Sequence, residues 1–357
     1  MSLDFLVHRT EPALTRIIER PALEPADGQV VARVEKFAFT ANNISYRVTG
    51  DSIGYWKFFP VPEEGWGRIP AFGFATVERS RSAALKEGTR FFGYFTTSSH
   101  LVMEPEHVSE ANFIDHMPHR RDLHAVYNSY SFLGADPAYH PDFEDMQALL
   151  RPQYTTSFLI DHFVVSSLFF GARQVLVLSA SSKTAIGFAY AQWLRGEGRP
   201  DLIGVTSPGN LDFVRRLGCY DRSVSYDALT ELDPGVPTLI VDFAGDGQVV
   251  ATLHRHFADN IRYNCAVGKS HWAAAPVDLP GRKPKFFFAP NHAMQLIGEI
   301  GANEFWRRLN AGWSRLRVDA ARWIMVETGR GPGDLSELYA RLLAGTVPPD
   351  RGHMIRL

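Results

Sequence analysis

Cysteine is nearly absent from this sequence: only Cys219 and Cys265 occur in 357 residues. No disulfide framework can be built from two thiols, and a reducing, cytoplasmic setting is expected. Charge of one sign is missing as well. A formal net charge of −2 leaves no electrostatic footprint for nucleic acid or an anionic membrane surface, so neither is expected as a partner. No apolar run approaches the length of a membrane span, and the first twenty residues carry scattered charges with no continuous apolar core, which reads as neither signal peptide nor anchor. Repeats and low-complexity tracts are absent too. What is left, 45% hydrophobic and 21% charged residues, is ordinary for a soluble globular chain long enough for two domains.

A fourth absence lies inside the most structured stretch, residues 174–207. Val175 to Leu178 is a short apolar run that fits a buried strand. A polar turn, Ser179 to Thr184, follows. Ala185, Ile186, Phe188, Ala189, Ala191 and Leu194 then recur at helical spacing, and Leu202 to Val205 is a second apolar strand. Strand, turn, helix and strand make a βαβ crossover, the unit that binds phosphates at its helix N-terminus. Yet the glycines of a dinucleotide fingerprint are replaced by Ala180, Ser182 and Ala185, which are small but lose the freedom to adopt positive φ. Hydroxyl and ammonium donors take their place: Ser181, Ser182, Lys183 and Thr184 cluster where free helix N–H groups are expected to point. The Lys183-Thr184 pair does not make a phosphate-binding P-loop, because both of that motif's glycines are missing.

Around this unit the pattern changes twice. Residues 1 to about 105 show short strands, at Val30 to Val34, Ala71 to Val77 and Phe91 to Phe95, which fits a compact β-rich domain. Within them, residues 40–67 are dense in aromatics; Tyr46, Tyr55, Trp56, Phe58, Phe59 and Trp66 either form a satellite core or wall an apolar pocket for a planar ligand. Residues 106–143 are polar and irregular, and residues 144–170 read as two helical pieces broken near Pro152. After Ser207, helices and strands alternate through Val267, which predicts a doubly wound parallel sheet. From Lys285 onward come FFFAP, a Trp-containing helix around Phe305 to Leu316, an extended segment Ala321 to Val326, a helix Leu335 to Leu343 and a terminal strand.

This order of parts resembles the medium-chain dehydrogenase/reductase superfamily, in its zinc-free quinone oxidoreductase-like branch. The motifs that carry it are VLVLSASSKTA, VTSPGNLDFVRRLG, VDFAGD, FFFAP and the ending LYARLLAGTVPPDRGHMIRL. The Ser/Lys/Thr turn with YWKFFP and EGWGRIP is also similar to the DUF2855 family. The resemblance implies an α/β fold in which a Rossmann domain, residues 151–285, is inserted in a β-rich GroES-like catalytic domain formed by residues 1–150 and 286–357. It further implies that the turn, from Ser179 through Ser181, Ser182, Lys183 and Thr184 to Ala185, holds a dinucleotide pyrophosphate. Thr206 and Ser207 stand where an acidic residue would bind the ribose of NAD, which favours NADP(H), although Asn210 occupies a position where relatives that use NADPH often carry lysine. Thr156 matches a threonine near the nicotinamide, and Phe243, Gly245 and Gly268 match positions along the cofactor's far half.

No metal site is expected. The first domain lacks the cysteine that zinc-dependent relatives use, and the thirteen histidines show no H-x-x-x-H spacing. Without metal, reduction of an activated C=C or C=O needs a hydride and a proton donor. By resemblance, Tyr46 is the first candidate donor; Asn43 aligns with a frequent family aspartate; Tyr55 and Trp56 would stack a planar substrate; and His271 could reach the cleft. The expected function is an NADP(H)-dependent, metal-independent oxidoreductase acting on a quinone, enone or other activated carbonyl compound. The alternatives are a dinucleotide-retaining lyase without net redox change, or a ligand-binding pseudoenzyme. The substrate is expected to be small and planar or apolar, and the family's pairing through the edge of its Rossmann sheet allows a homodimer.

Overall fold

The computed structural model describes residues 1–267 and 279–357. The chain divides into two compact units: Met1–Leu149 with Ile324–Leu357, and Leu150–Trp323.

The first unit is built on a nine-stranded sheet. Val30–Ala38 lies inside it, paired antiparallel with Pro70–Ser80, with His100–Met103 and with the C-terminal strand Arg351–Arg356. Pro70–Ser80 continues to Arg90–Thr96, and a three-stranded sheet of Thr15–Arg20, Ser2–His8 and Trp66–Gly67 completes the set. The core draws on several of these strands and on the helix Gly331–Leu343, whose Tyr339 meets Phe5 edge-on at 5.8 Å. Residues 106–143 are less irregular than their composition suggests. Asn112–Asp115 and Ser129–Phe132 join the large sheet, held by the fully buried Arg120. Its guanidinium donates to Asp115 (2.8 Å), to the Asn128 side chain (2.9 Å), to the Tyr130 hydroxyl (2.7 Å) and to the Tyr127 carbonyl (2.6 Å). A buried cation is tolerable only with this degree of satisfaction.

Among the described residues, the second unit carries six parallel strands: Gln174–Leu178, Asp201–Thr206, Arg222–Ser225, Thr238–Asp242, Ile261–Ala266 and Lys285–Phe286. Counted in chain order they stand 3-2-1-4-5-6, the doubly wound order of a dinucleotide fold. Gln174–Leu178 and Thr238–Asp242 are buried at every position, as central strands covered on both faces must be, which is why each reads as an apolar run.

Two expectations change. Residues 144–166 form one helix that runs through Pro152. Proline in a helix interior costs about 3 kcal/mol, but burial of Leu149, Leu150, Tyr154, Leu159 and Ile160 on either side of it offsets that. The return to the first unit begins at Ile324 rather than 286. Lys285–Phe286 is the sixth parallel strand, and the helix Ala302–Ala320 buries Phe305, Leu309, Trp313 and Leu316, with Trp313 near Tyr154 (6.3 Å between rings) and Phe305 near Phe158 (5.8 Å).

Candidate functional site

In a doubly wound sheet, the crevice for a ligand opens where the strand order reverses, beyond the carboxyl ends of the strands. Here that point lies between Gln174–Leu178 and Thr238–Asp242, which end in register at Leu178 and Asp242. The loops after these two residues therefore define the candidate site.

The first loop is the glycine-free turn. It does adopt positive φ, but at Ser179 (φ 56°), one residue ahead of the first position where the fingerprint would place glycine. The Ser179 N–H donates to the Tyr226 hydroxyl (3.0 Å), the Ala180 N–H to the Val205 carbonyl (2.9 Å), and the Tyr220 hydroxyl to the Ala180 carbonyl (2.9 Å). Burial raises both phenols above their usual pKa, so each stays protonated. Ser182 caps the helix Lys183–Trp193, its Oγ accepting from the Ala185 N–H at 3.4 Å. Lys183 and Thr184 occupy the first helical turn and are half-buried, whereas Ala185 is fully buried. Gly187 lets this helix approach Glu144–Ser166: a methyl group there would lie 2.7 Å from Ser157 Oγ, which donates to the Thr184 carbonyl (2.7 Å). Thr156, the neighbour of Ser157, is half-buried on that second helix.

Three of the expected residues come together beside the turn. The Thr206 hydroxyl and the Asn210 amide both donate to Ser181 Oγ, at 3.3 and 3.2 Å. Thr206 is fully buried, while Ser181, Ser207 and Asn210 are partly exposed. No acidic residue occurs from Leu202 to Leu211. In the second loop, the buried Asp242 accepts from the Ala244 and Gly245 N–H groups (3.0 and 2.9 Å), and Gly245 supplies φ 71°. Asp246 then caps the helix Gly247–Phe257 through the Gln248 and Val249 N–H groups. The Phe243 ring packs near Phe188 of the helix Lys183–Trp193 (6.3 Å). Gly268 and His271 lie outside the described residues.

Tyr220, Tyr226 and Asp242 were not singled out from sequence. Asp242 stands in the quoted VDFAGD motif, where its position as the last residue of an apolar strand was the available signal. Tyr226 lies 47 positions from Ser179, and nothing local to it announces the contact.

In the first unit, the helix Ala41–Val48 positions Tyr46 and Asn43. Asn43 is a structural cap rather than a counterpart of the aspartate it was matched with. It is buried; its Oδ1 accepts from the Thr40 N–H and its Nδ2 donates to the Pro70 carbonyl, both at 2.7 Å, leaving no free polar group to work on a substrate. Trp56 is likewise core. Methyl groups at Gly50 and Gly67 would fall 2.2 and 2.6 Å from its indole, so the two glycines make the space it fills. Phe58, Phe59 and Trp66 are buried with it, which favours the core reading of this stretch. Tyr46 joins a group of phenols. Its ring lies 4.6 Å from Tyr55 and 5.7 Å from Tyr94, and the Tyr55 hydroxyl is 3.4 Å from that of Tyr127. Burial first, then the neighbouring Tyr127, pushes Tyr46 well above the usual phenol range, so it stays protonated, is a weaker acid than a free phenol and will not serve as a resting base. The Tyr94 hydroxyl is buried without a hydrogen-bond partner among the described residues. Tyr94 and Tyr127 were missed, Tyr127 because it falls in the stretch that looked irregular.

Among the described residues, Glu104, Glu106 and His116 bring potential metal-ligand atoms within 4.8 Å of one another. Glu104 is already engaged by Arg121 (2.9 Å).

The family model described as "Protein of unknown function (DUF2855)" matches residues 37–348. Among solved structures, the chain is similar to CurA from Vibrio vulnificus in complex with NADPH (13% identity, TM-score 0.61, covering 100% of this chain and 99% of that one). It is also similar to the yhdH oxidoreductase from Salmonella enterica in complex with NADP (14%, 0.55, 100% and 100%) and to the quinone oxidoreductase from Coxiella burnetii (12%, 0.55, 100% and 100%). No curated protein matches. At these identities the likeness is one of fold: a Rossmann unit inserted in a β-rich, GroES-like unit.

Proposed function

The chain belongs to the DUF2855 family, and we propose that it is an NADP(H)-dependent, metal-independent oxidoreductase that reduces an activated C=C or C=O, as in a quinone or enone. The observation that carries this reading is the turn Ser179–Ser182, capped onto a helix N-terminus at the switch point of a 3-2-1-4-5-6 sheet. Solved structures of the same fold that hold NADPH or NADP support it.

The residues fit a dinucleotide. The positive end of the helix Lys183–Trp193 favours a pyrophosphate, and the side chains of Ser181, Ser182, Lys183 and Thr184 add donors around it. A strand that ends in Thr206 and Ser207, with no carboxylate after it, does not repel a ribose 2′-phosphate, and the Asn210 amide is a neutral donor nearby. When bound, the nicotinamide would supply the hydride. Tyr46, held protonated by burial, supplies the proton to the developing anion of the substrate.

Titration of the protein with NADPH and with NADH, followed by nucleotide fluorescence and melting temperature, tests the cofactor half. Preferential binding of NADPH is expected, followed by its oxidation in a screen of quinones and enones. Binding of neither nucleotide would replace this reading with that of a ligand-binding protein.

A further inference from the structure

The first unit contains a second cluster of chemistry-bearing side chains, made of residues that the proposed reaction does not use. Its positions, 104, 106 and 116, form no metal motif in the sequence; a hairpin brings them together. Pro105–Glu106 pairs antiparallel with Asn112–Asp115, setting Pro105 opposite Asp115 and Glu106 opposite Ile114. One step further along, the His116 N–H donates to the Glu104 carbonyl (2.8 Å), so Glu104 and His116 stand across from each other. Alternation along the strand then puts Glu104 and Glu106 on one face, with His116 opposite the first and diagonal to the second.

One ligand atom from each of the three lies within 4.8 Å of the other two, and all three side chains are half-buried. His116 Nδ1 is 3.1 Å from Glu106 Oε2, yet it is shut off from water and makes no hydrogen bond among the described residues. Close approach without hydrogen-bond alignment is what two ligands of one ion show. Around a tetrahedral centre with bonds of about 2.0–2.1 Å, the ligand atoms stand roughly 3.3 Å apart. Outer contacts hold the set in place. Arg121 donates through Nε to the His116 carbonyl and through Nη2 to Glu104 Oε1, both at 2.9 Å, and the Glu104 N–H donates to Asp115 Oδ1 (2.9 Å). Hydrogen bonds of this kind orient ligating carboxylates. Arg121 takes only one oxygen of Glu104; Oε2 keeps a 3.4 Å contact from Gln29. Glu106 pairs with no arginine or lysine among the described residues, and Asp115 is matched by Arg120. With His116 neutral, two carboxylates against Arg121 leave the cluster net negative.

We propose that His116, Glu106 and Glu104 bind a divalent cation of the zinc class, His116 through Nδ1 and each glutamate through one carboxylate oxygen, with water completing the coordination. An imidazole beside two carboxylates favours a borderline ion such as Zn²⁺ over Mg²⁺ or Ca²⁺, which prefer oxygen alone. The ion takes no part in hydride transfer; it staples the hairpin. Asp115, next to His116, holds Arg120, and Arg120 holds the Tyr127 carbonyl, so the staple stiffens the polar stretch that carries Tyr127. This site is separate from the turn Ser179–Ser182, and it stands whatever nucleotide that turn takes.

The test uses the full-length, untagged protein, stripped of metal with a chelator and titrated with Zn²⁺ in a calorimeter. One-to-one binding is expected, with a rise in melting temperature and a shift of the His116 ring protons in NMR. His116→Ala and Glu106→Gln are each expected to weaken Zn²⁺ at least about tenfold, since loss of an outer partner alone costs that much. Glu106→Gln keeps the shape of the side chain, and its metal-free melting temperature should match that of the native protein, which separates lost binding from lost fold. Three results would each overturn the proposal: no binding of Zn²⁺ to the native protein, Zn²⁺ affinity unchanged in Glu106→Gln, or Mg²⁺ bound as tightly as Zn²⁺, which would make the cluster an acidic patch only.

Discussion

The N–H of Ser179 donates to the hydroxyl of Tyr226 across 3.0 Å, and this one bond anchors the left-handed residue on which the turn depends. A non-glycine residue at φ 56° carries roughly 1 kcal/mol of steric cost, which the contact offsets. Ser179→Gly is therefore expected to stabilise the protein by about 0.5 to 1 kcal/mol in denaturant unfolding. Tyr226→Phe is expected to destabilise it by about 1 kcal/mol and to weaken NADPH binding, because the turn loses its brace.

Lys183 is the only cationic side chain in the segment Ser179–Ala185. Lys183→Ala is expected to weaken NADPH about tenfold in a fluorescence titration, as loss of one charge-assisted contact to phosphate would. Unchanged affinity would remove it from the cofactor site.

Asn43 satisfies both the cap of its helix and the Pro70 carbonyl. Asn43→Ala is expected to cost about 2 kcal/mol of stability, measured by urea unfolding, while the variant that still folds keeps its turnover. A large loss of turnover with unchanged stability would return Asn43 to the reaction.

Tyr46→Phe keeps the ring that packs against Tyr55 and Tyr94 and removes only the hydroxyl. Turnover is expected to fall about 100-fold, with little change in melting temperature. If turnover stays at its original level, the proton comes from elsewhere.

His254 is buried, with Nδ1 against the Pro280 carbonyl (2.9 Å) and Nε2 against the Asn264 amide (2.9 Å), an arrangement that suits the neutral ring. Burial lowers its pKa in the folded state. Its contribution to stability is thus fully present above the unfolded value of about 6.5 and is lost as pH falls from there toward the lower folded value. Urea midpoints measured from pH 7.5 to 5 should drop more steeply for the native protein than for His254→Gln.

The sequence made the doubly wound sheet legible because parallel central strands must be apolar throughout, and Val175 to Leu178 satisfies that within a few residues. The resemblance assigned the helix Ala302–Ala320 to the first unit, whereas it belongs to the second, because the apolar face of Phe305, Leu309 and Trp313 fits either core until tertiary packing chooses. The turn was read as a candidate phosphate turn, and its positive φ at Ser179 was hidden, because that depends on Tyr226 far along the chain. Asn43 illustrates the opposite case: the family resemblance suggested chemistry, whereas Thr40 three residues earlier already marked a capping box.

The strand Arg351–Arg356 pairs with Val30–Ala38 through Met354 and Ala38, so the large sheet joins the two extremes of the numbering. During synthesis, His100–Met103 can cover Val30–Arg33 early, but the Phe37–Ala38 end of the strand waits for a partner that is translated only after the whole Leu150–Trp323 unit. That unit can condense from neighbouring βα segments, while the first unit must hold an open edge until the end. Ribosome-bound intermediates should therefore expose the Phe37–Ala38 end of that strand, making it the place where aggregation or chaperone capture begins.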